Sequence, residues 1–567
     1  MKKICLFILA VFMLFNLAGC KNNTPSNNSS NQEKYKYSGT VLQVTQYGTV
    51  EGLLDNTTNT LQWLGVPYAK PPVGELRWKA PQNPEKWNNT LETKQYKNKA
   101  VQLSGKEVIG SEDCLYLNIW RPNTKDENIP VMVFVHGGGN ITGSGESFKG
   151  DVLAQKSNSI IISINYRLGP MGWFLNDALK DGDKLNDSGN YGLLDIFKAL
   201  EWVQNNIASF GGNPKNVTLS GQSAGARDVL ASLISPYSKG LYQKAIPLSG
   251  GLTLAEPEEG KKFTQEIIKK LVIKDGKASN DEEAQKWIES QSSKDLAAYL
   301  RGKDAKEIVP LYGTVAIKMG QFPHLYKDGN VIPKEGFELL KTGNYNKVPI
   351  IIGSMANEFA GFAAMDPYFE GAVLNGKIYS DPEKLKILND AVTYGSKMYA
   401  GFNADKVADL LIVNKDQPSV YAYRCAWGTQ EGVITNNTKL FAAAHGVDVD
   451  LITANYAFGN YFKGFYTEEN KPGRTELSNM MMTYIKNFLH TGDPNGDNLP
   501  KWTKWQTAAD SDKILRLDAD TTKATAVMSK EHLVKEEIIK EMNDNLPKNE
   551  KDIIIEKLLK GRFFWEY

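Results

Sequence analysis

The chain has 567 residues, 41% of them hydrophobic and 23% charged, which is enough for a large core. Its 66 basic and 65 acidic residues leave a formal net charge of +1, so it lacks the charge bias of a nucleic-acid binder. Beyond the N-terminus, no stretch is long and apolar enough to cross a bilayer.

The N-terminus differs from the rest. A basic start, Met1-Lys2-Lys3, precedes an apolar run over 4–17 that ends in Leu17-Ala18-Gly19-Cys20. The run has signal-peptide length and is short for a membrane span. The small residues before the cysteine resemble a bacterial lipobox, which implies a signal over 1–19 and lipidation of Cys20. Residues 20–36 are polar and rich in Asn and Ser, the composition of a flexible tether. The reading is an exported protein, lipid-anchored to the outer face of a bacterial membrane, with one large domain over 37–567. Of the four cysteines, Cys5 and Cys20 fall in this leader. Only Cys114 and Cys425 remain to pair, and free thiols are expected, since a large core needs no staple.

Along the domain, short β-type apolar runs read as buried strands over 131–135, 160–166, 217–220, 244–249 and 348–352. Between the second and third of these, 193–210 repeats apolar residues at three and four, as an amphipathic helix does. Strands alternating with helices give an α/β class with a mostly parallel sheet covered on both faces. The stretch 530–546 reads as an amphipathic helix with a solvated charged face.

The chemistry-bearing parts follow the same order. His136-Gly137-Gly138-Gly139 comes directly after the first strand. Backbone N–H groups must approach an oxyanion closely, and side chains would obstruct them, so Gly138 and Gly139 are candidate donors. Gly221-Gln222-Ser223-Ala224-Gly225 follows the third strand. By itself this pattern also fits an ordinary turn. With a strand before it and a helix able to start at Ala224, it fits a nucleophile on a sharp elbow, with the Ala224 N–H as third donor. Five histidines limit the search for a base. His445 lies between small residues in Ala442-Ala443-Ala444-His445-Gly446, and Glu358 lies just past the strand over 348–352. The order Ser223, Glu358, His445 is that of an α/β-hydrolase. His136 reads as structural.

With these parts in order, the chain resembles the type-B carboxylesterase family, which includes the cholinesterases. The resemblance covers most of 38–520 and is carried by blocks at 65–81, 111–120, 189–226, 327–333, 442–448 and 491–495. It implies an α/β-hydrolase fold with helical insertions over the site, and 255–345 and 360–440 are expected to cover it. It implies Ser223 as nucleophile, Glu358 as acid, His445 as base, and Gly138, Gly139 and Ala224 as the oxyanion hole. Ser249 matches a family serine that hydrogen-bonds near the triad. Ion pairs Arg77–Glu112 and Arg167–Asp195 are implied as structural.

Three departures stand out. The family usually carries Glu immediately before the nucleophile, and here it is Gln222. Residues 38–113 hold no cysteine to pair with Cys114. The region between Val101 and Cys114 lacks the tryptophan on which cholinesterases stack choline. Poor activity on choline esters is therefore expected. Asn140, Arg227 and Asp228 are also unusual and have no evident role in the sequence.

The expected function is ester hydrolysis through an acyl-enzyme, on a small-molecule or lipid-like ester, with no metal or organic cofactor. The same machinery also fits a lipase, polyesterase, thioesterase or amidase. A non-catalytic cholinesterase-like binding protein remains a rival. Substrate preference and oligomeric state are not legible.

Overall fold

The computed structural model describes residues 36–313 and 322–566. The proposed signal, Cys20 and most of the tether therefore lie outside the described residues.

Eleven strands form the central sheet: β1 (Leu53–Asp55), β2 (Thr60–Pro67), β3 (Tyr116–Pro122), β4 (Ile129–Val135), β5 (Ile160–Ile164), β6 (Gly212–Gln222), β7 (Lys244–Leu248), β8 (Ile350–Met355), β9 (Val420–Cys425), β10 (Ile514–Ala519) and β11 (Ala524–Ser529). Their spatial order is β11-β10-β9-β8-β7-β6-β4-β5-β3-β2-β1. From β5 through β10 every neighbouring pair is parallel. Antiparallel strands extend both ends, β3 beside β5 and β11 beside β10. All five strand runs read in the sequence lie in the parallel part. The outer antiparallel strands were not legible in the same way.

Alternation along β4 shows why the sheet is covered twice. Val131, Val133 and Val135 enter the apolar cluster on one face, and Met132 and Phe134 the cluster on the other. Both sets are apolar because parallel strands are buried on both sides.

Seven helices matter below: α1 (Tyr191–Asn206), α2 (Ala224–Ile234), α3 (Ala360–Ala364), α4 (Pro382–Ala400), α5 (Lys471–Thr491), α6 (Lys535–Asn545) and α7 (Phe563–Glu566). The apolar residues of α1 and α2 pack into the first cluster, and those of α4 and α5 into the second. The helix expected over 193–210 is α1 followed by a 3-10 turn at Ile207–Phe210. That expected over 530–546 is α6, which buries Ile538 and Met542.

Two ion pairs, one buried and one partly buried, tie loops to this frame. Arg167 grips Asp195 through Nε–Oδ2 at 2.8 Å and Nη2–Oδ1 at 2.7 Å. Arg77 donates from Nε to Glu112 at 2.7 Å, and from Nη1 to the carbonyls of Leu300, Arg301 and Lys303. Cys114 and Cys425 are free and buried. Burial pushes both thiols upward, so they are poor nucleophiles.

Candidate active site

Ser223 is the only residue between β6 and α2. Its backbone has φ 57° and ψ −121°, a strained conformation for a residue with a Cβ. Its N–H donates to the Leu248 carbonyl at 2.8 Å, and its carbonyl accepts the Arg227 N–H at 3.0 Å. The flanking glycines have separate steric reasons. A Cβ on Gly221 would strike the Gly225 backbone, and one on Gly225 would strike the carbonyls of Val135 and His136. The second contact seats α2 against the end of β4.

The loop after β4 packs onto this elbow. A Cβ on Gly137 would meet Gln222 and the Ser223 side chain. Gly138 and Gly139 both have positive φ, 103° and 67°. Among the described residues, no protein acceptor takes the N–H of Gly138, Gly139 or Ala224. Three unclaimed donors thus lie on two elements that meet at Ser223. His136 is buried, its ring stacks on Tyr166 at 4.5 Å, and burial pulls it down to about 4. It stays neutral at physiological pH.

Glu358 lies three residues past β8 and is fully buried. Its Oε1 accepts the Ser249 hydroxyl at 2.6 Å and the Met355 N–H at 2.9 Å. Its Oε2 stands 2.6 Å from His445 Nδ1. Asn357 fastens the two loops together: its N–H and side-chain amide donate to the carbonyls of Ala443 and Ala442, at 3.0 and 2.8 Å. The His445 ring stacks on Tyr399 of α4, centroids 5.5 Å apart, and tilts against Phe362 of α3. Tyr399 in turn stacks on Phe564 of α7 at 4.7 Å. The sequence reading missed Asn357, Tyr399 and Phe564, since each acts on a partner distant in the chain.

The remaining imidazole nitrogen makes an unexpected contact. His445 Nε2 lies 3.1 Å from Gln222 Nε2. With Nδ1 donating to Glu358, the neutral ring has only a lone pair at Nε2, so the Gln222 amide is the donor. No hydrogen bond joins Ser223 Oγ to His445 among the described residues.

A cavity of about 690 Å³ lies beside the elbow helix, lined in part by Leu252, Leu254, Phe322, His324, Phe337 and Phe563. It shares two walls with Arg227 of α2: His324 Nε2 is 3.1 Å from Arg227 Nη1, and the guanidinium lies over the Phe563 ring. Burial, then the Arg227 charge, pulls His324 down to about 3.

A family model described as "Carboxylesterase family" matches residues 39–375 and 373–536. The chain belongs to the carboxylesterase family. It is 34% identical to the para-nitrobenzyl esterase of Bacillus subtilis (strain 168) over 387 residues, 65% of this chain and 70% of the relative. It is 31% identical to mouse (Mus musculus) carboxylesterase 1E over 536 residues, 86% and 90% of the two chains. Among solved structures, the Geobacillus stearothermophilus carboxylesterase EST55 superposes with a TM-score of 0.68 at 26% identity, covering 86% of this chain and 98% of that one. The fold is accordingly the α/β-hydrolase fold, and this family member is a carboxylic ester hydrolase. Residues 537–566, which include α7 and its two phenylalanines, lie beyond the family match.

Proposed function

We propose that the chain hydrolyses carboxylic esters through Ser223, His445 and Glu358 by way of an acyl-enzyme. The observation that carries this reading is the 2.6 Å contact between His445 Nδ1 and Glu358 Oε2, on loops that also meet the Ser223 elbow. Ser223 Oγ attacks the ester carbonyl as His445 Nε2 takes its proton, which requires the hydroxyl to replace the Gln222 amide at that nitrogen. Glu358 holds the imidazole tautomer and stabilises the imidazolium. The N–H groups of Gly138, Gly139 and Ala224 bind the oxyanion, each worth about 3–4 kcal/mol to the transition state. His445 then protonates the leaving alcohol. Water, deprotonated by His445, releases the acid. Ser249 supports Glu358 from the other side.

The same proposal places the enzyme outside the cell, tethered by a lipid on Cys20, as the leader's composition supports. A Cys20→Ala variant released from the membrane fraction, with no incorporated fatty acid, is the expected result.

The test of catalysis uses a soluble form beginning at Lys21. It is assayed on p-nitrophenyl acetate, butyrate and decanoate beside Ser223→Ala. Turnover lost in the variant is expected, and the chain-length profile sizes the acyl pocket. A folded wild type with no turnover and no labelling by a fluorophosphonate would point instead to a binding protein.

A further inference from the structure

The oxyanion donors come from two separate pieces of chain. Gly138 and Gly139 sit on the loop after β4, and Ala224 begins α2. Their spacing must hold to tenths of an ångström, because the donors have to lie about 2.7–3.1 Å from the oxyanion. We propose that Asn140 and Asp228 are positioning residues that clamp the glycine loop onto the elbow helix and thereby set this spacing. The inference rests on the esterase reading above.

Asn140 ends the glycine loop and is fully buried, in a left-handed conformation with φ 62°. All its remaining polar groups but its own N–H are engaged. Its backbone carbonyl accepts the Gly169 N–H at 2.7 Å. Its Oδ1 lies 2.9 Å from the Tyr166 hydroxyl, which lies equally close to the His136 carbonyl at the start of the loop. Its Nδ2 donates to Asp228 Oδ1 at 3.0 Å. Asp228 stands four residues after Ala224 on α2, one turn along the same face. The bond therefore runs from the end of one donor-bearing element to the first turns of the other. It adds a directional link to the close packing of Gly225 on the carbonyls of Val135 and His136.

This link is costly. Asp228 is fully buried, and its Oδ2 has no partner among the described residues. Burial pushes its carboxyl up to about 7, against the pull of the Asn140 bond and the Arg227 charge. Apolar residues would fill such a place at least as stably. What the polar pair supplies is a fixed geometry between two backbone segments.

The experiment compares Asn140→Gly, which keeps the positive φ available, Asp228→Ala, their double variant, and the exchange Asn140→Asp/Asp228→Asn. The exchange reverses donor and acceptor, keeps one carboxylate, and leaves an accepting oxygen at position 140 for the Tyr166 hydroxyl to donate to. Readouts are kcat and KM on p-nitrophenyl butyrate, and Ki for a trifluoromethyl ketone, whose hemiketal oxygen loads the oxyanion hole. Each single variant is expected to lower kcat about tenfold or more with KM changed less than about threefold, a milder loss than deleting a donor outright. Ki should rise in parallel. The double variant should be no worse than the poorer single one, and the exchange should recover most of kcat. Folded single variants with kcat and Ki within twofold of wild type would overturn the inference. So would a kcat loss with unchanged Ki and no recovery in the exchange. A wild type that neither turns over esters nor takes a fluorophosphonate label overturns the esterase reading, and this inference with it.

Discussion

Gln222 and His445 face each other through their two nitrogens, Nε2 to Nε2, at 3.1 Å. The amide occupies the lone pair that the proposed mechanism needs for the Ser223 proton, so in that mechanism Ser223 and Gln222 compete for one nitrogen. Gln222→Glu would put a carboxylate there instead. It would favour the imidazolium, and the acid limb of kcat/KM is expected to move to higher pH. The added negative charge should also raise the ratio of choline-ester to neutral-ester turnover many-fold, from a low starting value. A pH–rate profile on p-nitrophenyl butyrate and butyrylcholine checks both. An unmoved limb and an unchanged ratio would count against the contact.

Ser249→Ala removes one of three partners of the Glu358 carboxylate and leaves the Met355 N–H and His445 in place. A hydrogen bond to a charged group contributes about 1.5–3 kcal/mol, so kcat/KM is expected to fall by roughly ten- to a hundredfold. KM should change little, because Ser249 touches Glu358 rather than the ester. Steady-state kinetics separate the two parameters.

The Arg167–Asp195 pair is almost fully buried, with 2% and 0% of the side chains exposed. Asp195→Ala strands the guanidinium and should destabilise the fold by about 3–5 kcal/mol. Replacing both residues together, Arg167→Met with Asp195→Leu, should cost much less, since no charge is left unpaired. Urea denaturation of the single and double variants gives the comparison. Equal losses in both would show that packing, not the charge, dominates.

His324 supplies a pH-dependent term in stability. Its folded value is drawn down to about 3 from an ordinary 6.5, mainly by burial. The folded state therefore refuses a proton that the unfolded chain accepts. Its stabilising effect is complete above about 6.5 and is lost as pH falls from there towards 3. His136, drawn down to about 4, acts in the same sense. Asp228 and Asp448 are raised to about 7 and about 6 by burial and act oppositely, losing stability as pH rises. A single-site comparison removes these shared terms. His324→Gln keeps an acceptor for Arg227 and should flatten the fall in Tm between pH 6.5 and 4 by about one proton's worth of uptake. Parallel melting curves across that range would show that His324 is already charged when folded.

Some of this site was readable because its physics is local. Gly221 answers to a collision with the backbone of Gly225, four residues on, and Gly138 and Gly139 to a backbone that turns through positive φ. The strands before the glycine loop and before Glu358 show as five-residue apolar runs, 131–135 and 348–352, because a strand buried on both faces is mostly apolar on both. The missing carboxylate at Gln222 was visible, but its contact with His445, 223 residues away, was not. Asn140 and Asp228 stood out as unusual, and only the fold put them 3.0 Å apart.

The C-terminus shows the same boundary most clearly. Read alone, the charges over 530–546 describe a solvated helix face, and α6 exposes much of it. Nothing nearby says that Phe564 will stack on Tyr399, which stacks on His445. The sequence by itself determined the motifs, their order and the alternation of strand and helix, since backbone sterics and two-sided burial act over a few positions. Tertiary structure decided which side chain holds which nitrogen, which loop is clamped to which helix, and which distant aromatic ring packs on His445. Those contacts depend on the order of strands in the sheet, and that order brings together residues that no local rule connects.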